Sequence, residues 1–369
     1  MMQMEPAQFS RLLEVHREVY PFARRYPVTT FITLLTDLGL TTKSAYFTIQ
    51  YTLTVLLGLT FYRYLLTMGF HRVRAHLGLF LFLTSYPILA AHIAPIHNWD
   101  DLWTHLFMIL SFTDALTSKP GRSIIWFTVA CFAREQSFIL LPALIFVMRL
   151  TDQRLSRRRL VTIAATPILV YGIFLVWDWH APRFDRLTLI VKNFANPLRA
   201  SDTLYSLFIS FGFAWVTTLI GLTHRGRSST GRLLFWGTVL SLPATVIFTL
   251  FLTNARETRI FFPPFLFVIP ICLMVVRGIY DNLRAKVTGP EIAWVTVIAV
   301  LLMGVGITLG YLAFPEFEYR QCPNFHRQWA GVHFGLILCL MAYTLRWGWK
   351  DFVMGYETKS NRPDSQSLS

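Results

Sequence analysis

A helix needs about 20 largely uncharged residues to cross the hydrocarbon core of a bilayer, and this sequence supplies such stretches from one end to the other. Nine read as ordinary spans, at 45–66, 75–95, 100–117, 160–178, 202–222, 232–252, 258–277, 291–314 and 329–346. Composition agrees: 54% of residues are hydrophobic, 15% are charged, and mean hydropathy is +0.47. A soluble domain carries a larger charged share and a lower hydropathy. The formal charge of +14 is spread among the loops between apolar stretches, not gathered in one patch. An ordinary soluble enzyme, a disordered tail and a nucleic-acid binder are therefore excluded. The expected fold is an all-α polytopic transmembrane bundle.

A tenth apolar stretch, 123–149, carries Arg134-Glu135 at its middle. Lys and Arg in the flanking loops decide what it does, because cytoplasmic loops collect them. The connections near 67–74, 118–122, 149–159, 223–232 and 277–290, and the tail from 346, are basic. They include Arg72/Arg74, Lys119/Arg122, Arg154 with Arg157-Arg158-Arg159, Arg225/Arg227 and Arg284/Lys286. The alternate connections hold Asp100, Asp101, Asp178, Asp185, Asp202, Glu257, Glu316 and Glu318. Both flanks of 123–149 are basic. One crossing there would reverse every later loop, whereas a re-entrant or broken hairpin turning near Arg134-Glu135 keeps the alternation. Twenty-seven residues make roughly 40 Å of helix, enough for two short arms. The expected organisation is an external amphipathic segment over 1–44, a bundle over 45–346 and a cytoplasmic polar tail over 347–369. Within the first segment, Phe9, Leu12 and Leu13 share one helical face, and Val28, Phe31, Ile32 and Leu35 share another. Such pieces either lie in the membrane interface or pack on the bundle. Cys131, Cys272 and Cys339 lie in apolar stretches and Cys322 stands alone, so no disulfide framework or zinc site is expected. The polar N-terminus reads as no removable signal peptide.

Ionisable residues at membrane depth are costly and mark function by default. Three clusters qualify, all toward the non-cytoplasmic face in this topology. His97-Asn98-Trp99-Asp100-Asp101 joins two spans; its carboxylates suit a general base or a hard cation, or else cap a helix whose dipole favours negative charge. Arg134-Glu135 sits at the expected break, either as a working pair or as a self-neutralising pin. Arg256-Glu257-Thr258-Arg259 precedes an apolar run; two guanidiniums around one carboxylate suit a phosphate, or anchor the span at the headgroups. His92 with His97 is a weaker ligand pair, and Asp114 reads as local pairing. No metal site is assigned, and a divalent cation is the one cofactor left open.

At these residues the chain resembles a known family. Asp101-Leu-Trp-Thr-His-Leu-Phe, a basic turn, and Phe132-Ala-Arg-Glu-Gln-Ser-Phe-Ile-Leu-Leu-Pro142 are similar to a recurrent pattern of the GT-C superfamily of polytopic glycosyltransferases. Glu257-Thr-Arg259 before Pro263-Pro264 is similar to that family's Glu-x-Arg entry to a late span. Tyr20-Pro-Phe-Ala-Arg24-Arg25 resembles its first external loop. The resemblance implies a sugar donor linked to polyprenyl phosphate, transfer on the non-cytoplasmic side, and an acidic residue of the first loop as base. The family places a further helix before that loop, and this sequence opens within the loop. Glu5 is then the nearest match for the loop acid, with Glu14 and Glu18 as substitutes. Together these readings give an inverting hexosyltransferase of a prokaryotic plasma membrane, acting in the cell envelope. Its catalytic candidates are Glu5, Asp100 and Asp101, and its substrate-binding candidates are Arg134, Glu135, Arg256, Glu257 and Arg259. The expected partners are the lipid-linked donor and membrane lipids, with no nucleic acid. A transporter or flippase, or a non-catalytic relative, is the alternative.

Overall fold

The computed structural model describes residues 9–10, 13–14, 26–93, 99–177, 197–223, 228–252, 258–313 and 325–347, and every regular element among them is helical. The helices are α1 (Tyr26–Asp37), α2 (Thr42–Thr67), α3 (Arg72–Leu83), α4 (Tyr86–Ile93), α5 (Trp99–Leu116), α6 (Pro120–Ala133), α7 (Leu141–Thr151) and α8 (Arg157–Trp177). They continue as α9 (Pro197–Phe211), α10 (Phe213–Thr223), α11 (Ser229–Leu252), α12 (Phe265–Lys286), α13 (Gly289–Ala313) and α14 (Phe325–Trp347). Two 3-10 turns, Glu135–Leu140 and Thr258–Phe261, precede α7 and α12.

Among the described residues, five helices are long and apolar enough to cross a membrane: Arg157–Val176, Ser229–Phe251, Phe265–Lys286, Glu291–Ala313 and His326–Trp347. Counting each of two broken pairs as one span raises this to seven. The sequence reading expects nine. The difference lies in polar residues. The stretch 45–66 is helical within α2, which is 26 residues long but carries Gln50, Thr52, Thr54, Thr60 and Arg63. The stretch 100–117 is α5, which opens on two carboxylates and holds His105 and Asp114. The stretch 75–95 is α3 and α4, bent by 55° between them.

The chain divides into two compact units. The first comprises residues 1–210 and 236–266, and the second 211–235 and 267–369. In the first, α5 packs on α2 and α6. Ser111 and Ser123 exchange hydroxyl-to-carbonyl bonds of 2.9 and 2.8 Å, so small side chains draw α5 and α6 close. An aromatic core of Phe61, Phe82, Phe262 and Phe265 is fully buried, with Phe61 and Phe82 stacked at 4.4 Å. It fixes the turn around Pro263 and Pro264 against α2 and α3. Pro270 cannot donate to Leu266, four residues earlier in the helical register. The buried Tyr64 hydroxyl supplies the donor instead, at 2.8 Å from the Leu266 carbonyl. Phe9 and Leu13 are buried, and Phe9 lies 5.5 Å from Tyr46, so this amphipathic piece packs on the bundle. In α1, Ile32 is buried while Phe31 and Leu34 are exposed.

In the second unit, Thr288 and Glu291 form a capping box at the start of α13, with bonds of 2.9 and 3.0 Å to the Glu291 carboxylate. Two small-xxx-small pairs, Gly306/Gly310 on α13 and Gly331/Gly335 on α14, then face each other. A Cβ on Gly331 would stand 2.6 Å from the Ile307 Cα, and one on Gly310 would stand 2.6 Å from the Arg327 carbonyl oxygen. Only 6% of the apolar window of α13 is buried among the described residues, and the seam with α14, extended by Gln328 on Tyr311 and Cys339 on Ala299, is its main contact there. Where α10 begins, the Phe213 amide donates to His333 Nδ1 at 2.9 Å.

Candidate functional site

The site grows from the first turn of α5. Asp100 and Asp101 sit there, where the helix dipole favours negative charge. They are not a solvated cap: Asp100 is fully buried and Asp101 is 4% exposed. Buried carboxylates need a cation or donors nearby.

The cation comes from a helix break. The stretch 120–151 is two helices, since α6 ends at Ala133 and Arg134 adopts extended backbone with φ −159° and ψ 123°. The Arg134 amide closes the last turn on the Ala130 carbonyl at 2.8 Å, and the Ser137 hydroxyl donates to that same carbonyl at 3.0 Å. The chain restarts as the 3-10 turn and continues into α7, whose second residue is Pro142. It then returns toward its origin: Thr151 at the end of α7 donates to Ala115 near the end of α5, at 2.9 Å. At the opposite end of α5, the Arg134 guanidinium forms an ion pair with the Asp101 carboxylate, both side chains being less than a tenth exposed. Charge at the turn and hydroxyls at the open end thus hold the hairpin against α5.

A small cavity adjoins this pair, with room for about one water molecule. Asp101, Thr104, His105 and Met108 line it from α5, Arg134, Gln136 and Ser137 from the hairpin turn, and Pro263 and Phe265 from the start of α12. The Gln136 amide donates to the Ile260 carbonyl, which joins the hairpin to the turn Thr258–Phe261. His105, four residues after Asp101, sets its ring edge-on to Phe262 and Phe265, each at 5.2 Å. Tyr46 and His105 both lie within electrostatic reach of Asp100. Among the lining residues the charged groups are Asp101 and Arg134.

The sequence-derived candidates divide accordingly. Asp101 and Arg134 come together; Asp100 is buried in the same helical turn but does not line the cavity. Glu135 is half-buried at the start of the 3-10 turn and does not line the cavity. Glu5, Arg256 and Glu257 lie outside the described residues, and Arg259 falls in the turn that Gln136 contacts. His92 is committed locally: Nδ1 donates to the Ile88 carbonyl at 2.9 Å, and Nε2 lies 2.8 Å from the Thr54 hydroxyl. His97 lies outside the described residues. Asp114 accepts from the Trp126 indole at 3.1 Å and pairs with Arg122 at 3.2 Å, as local pairing requires. Thr104, His105, Gln136 and Ser137 are additions. His105 could have been found as the residue one turn beyond Asp101 on the same helical face; the others follow only from the fold. Among the described residues, no three of His, Cys, Asp and Glu gather to hold a metal ion. No protein-family model, no curated protein and no solved structure matches this chain.

Proposed function

We propose that the chain is a membrane glycosyltransferase of the GT-C type, moving a sugar from a polyprenyl-phosphate donor to an acceptor on the non-cytoplasmic side of a prokaryotic plasma membrane. The reading includes a nine-span bundle in which the 120–151 hairpin dips in and returns. The single observation that carries it is the buried ion pair of Asp101 and Arg134 between the start of α5 and the turn of the hairpin, with Asp100 buried in the same helical turn. Sugar transfer needs a carboxylate to take the acceptor hydroxyl's proton and a cation for the departing phosphate. The acceptor oxygen attacks the anomeric carbon, the carbon–oxygen bond to the phosphate breaks, and the polyprenyl phosphate leaves with the bonding pair. No covalent nucleophile is invoked, so the anomeric configuration inverts. Asp100 and Asp101 are the candidate bases, and Asp101 would have to leave Arg134 to act.

The test is transfer from polyprenyl-phosphate hexoses by purified protein. Asp100→Asn should lower the rate by about 10²- to 10⁴-fold, the range for losing a general base, in protein whose unfolding is unchanged. Absence of transfer by folded wild-type protein from every donor tried would refute the reading.

A specific observation favours a second reading. The Arg134 charge is neutralised by Asp101, and the adjoining cavity admits about one water molecule. The cluster would then be a latch in a non-catalytic membrane protein. In that case Asp100→Asn changes stability alone.

A further inference from the structure

We propose that the connection between α7 and α8 is a binding site for anionic phospholipid headgroups, formed by Arg154, Arg157, Arg158 and Arg159. All four arginines are exposed, and none forms an ion pair among the described residues. The connection that carries them is internally tied. Arg149 donates from Nη1 to the Leu155 carbonyl at 3.1 Å, the Arg154 amide donates to Asp152 at 3.0 Å, and the Leu155 side chain is buried. Ser156 caps α8 by accepting from the Arg159 amide at 3.3 Å. Three cations therefore occupy the first turn of a helix, where the dipole disfavours positive charge. Neighbouring like charges add to that cost, and Asp152, the carboxylate of the connection, forms no ion pair with them. A local rule broken without local compensation points to a ligand.

Geometry identifies the ligand. The helix from Arg157 to Val176 has 20 residues, about 30 Å of rise, which matches the hydrocarbon thickness of a bilayer. Its arginine end therefore lies at the headgroup level. Only 6% of its apolar window is buried, and Val161, Ile168, Leu169, Ile173 and Val176 are all exposed. Beyond the face that packs on the hairpin through Tyr171 and Phe174, the helix is thus left to lipid. Consecutive helical residues point about 100° apart, so Arg157, Arg158 and Arg159 cannot converge on one small anion. A globular partner would meet one face of the turn. A ring of headgroup phosphates meets all three arginines, and each guanidinium fits a phosphate with two parallel donors.

The experiment uses the full chain purified in a neutral maltoside detergent. Phosphatidylglycerol or phosphatidylcholine is titrated in, and binding is read by thermal unfolding and by native mass spectrometry. The wild type should bind phosphatidylglycerol in preference to phosphatidylcholine and unfold several degrees higher with it. Each Arg→Gln substitution at 157, 158 or 159 should weaken that binding about fivefold, the worth of one basic residue near an anionic surface. The triple variant should lose about a hundredfold on the same basis. Arg72→Gln/Arg74→Gln, removing the exposed Arg72 and the half-buried Arg74 at the start of α3, should leave the affinity unchanged. The single variants keep the test decisive if the triple variant does not fold. The proposal is overturned by equal binding of the two lipids, by single variants that bind as wild type does, or by an equal loss in the α3 control. It is also overturned if inorganic phosphate at matched concentration gives the same stabilisation, which would identify a free-anion site.

Discussion

Removing Arg134 should destabilise the first unit more than any other single change at the cavity. The Asp101 and Arg134 side chains are 6% and 8% exposed, so solvent screens their attraction little. At an effective dielectric of about 20, unit charges 4 Å apart attract by about 4 kcal/mol. Breaking a buried pair by removing one partner costs about 3–5 kcal/mol, because the other charge is left buried without compensation. Arg134→Met should reach the upper part of that range, since it leaves the buried Asp101 carboxylate without its cation and next in sequence to a second buried carboxylate, Asp100. Asp101→Leu should cost less, about 1–3 kcal/mol, the penalty for a polar group losing its partner, because Asp100 remains near the orphaned cation. The double variant replaces the pair with apolar side chains and should lie within about 1–2 kcal/mol of wild type, as apolar replacement of buried pairs is often neutral. The assay is a double-mutant cycle of denaturant unfolding in detergent micelles. The expected coupling is at least 2 kcal/mol; additivity within about 0.5 kcal/mol, the margin for independent sites, would refute the reasoning.

Two further outcomes follow from packing. Tyr64→Phe should cost about 1–3 kcal/mol by leaving the Leu266 carbonyl without its donor, and Pro270→Ala should recover part of that loss by supplying the missing amide; thermal unfolding of the two singles and the double checks this. Gly331→Ile should separate α13 from α14, because a Cβ there would stand 2.6 Å from the Ile307 Cα; the readout is loss of disulfide crosslinking between cysteines placed along the two helices, and crosslinking at wild-type efficiency would contradict the seam.

Some of this was legible in the sequence because it rests on charge within apolar surroundings. Arg134 in a stretch with two basic flanks marks a break, and α6 does end one residue earlier, at Ala133. The burial of Asp100 and Asp101 was less legible: acidic residues at a helix start fit a wet cap as well as a dry site, and only tertiary packing decides. The partner of Arg134 could not be read at all. Its sequence neighbour Glu135 is the obvious choice, yet extended backbone at Arg134 carries the guanidinium to Asp101, 33 positions away. Among the described residues, five to seven helices pass on length and composition against nine in the sequence reading, for the opposite reason. Helices such as α2 bury Gln50 and Tyr64 inside the protein, where Gln50 donates to the Ala91 carbonyl. Polar residues satisfied in this way lower hydropathy without removing the helix. The glycine seam of α13 and α14 needed only the spacing of Gly306, Gly310, Gly331 and Gly335, but glycines in apolar runs show a close approach only once the partner helix is known.

The ion pair sets a condition on any chemistry at this site. Arg134 cannot hold a phosphate with full strength while it neutralises Asp101, and the cavity beside them is too small for a sugar. A phosphate that takes Arg134 must therefore displace Asp101, and the same exchange releases the Asp101 carboxylate from its ion pair. The fold indicates where room for that exchange would open. The far end of the hairpin is fixed to α5 by Thr151 on Ala115 and by the reciprocal Ser111–Ser123 bonds. The turn end is held by the ion pair itself and by Gln136 on Ile260. An anion competing for Arg134 loosens the end where the candidate groups lie and leaves the serine-zipped end intact. A latch and a substrate-opened site thus share every contact described, and they differ only in whether an anion can replace Asp101 on Arg134.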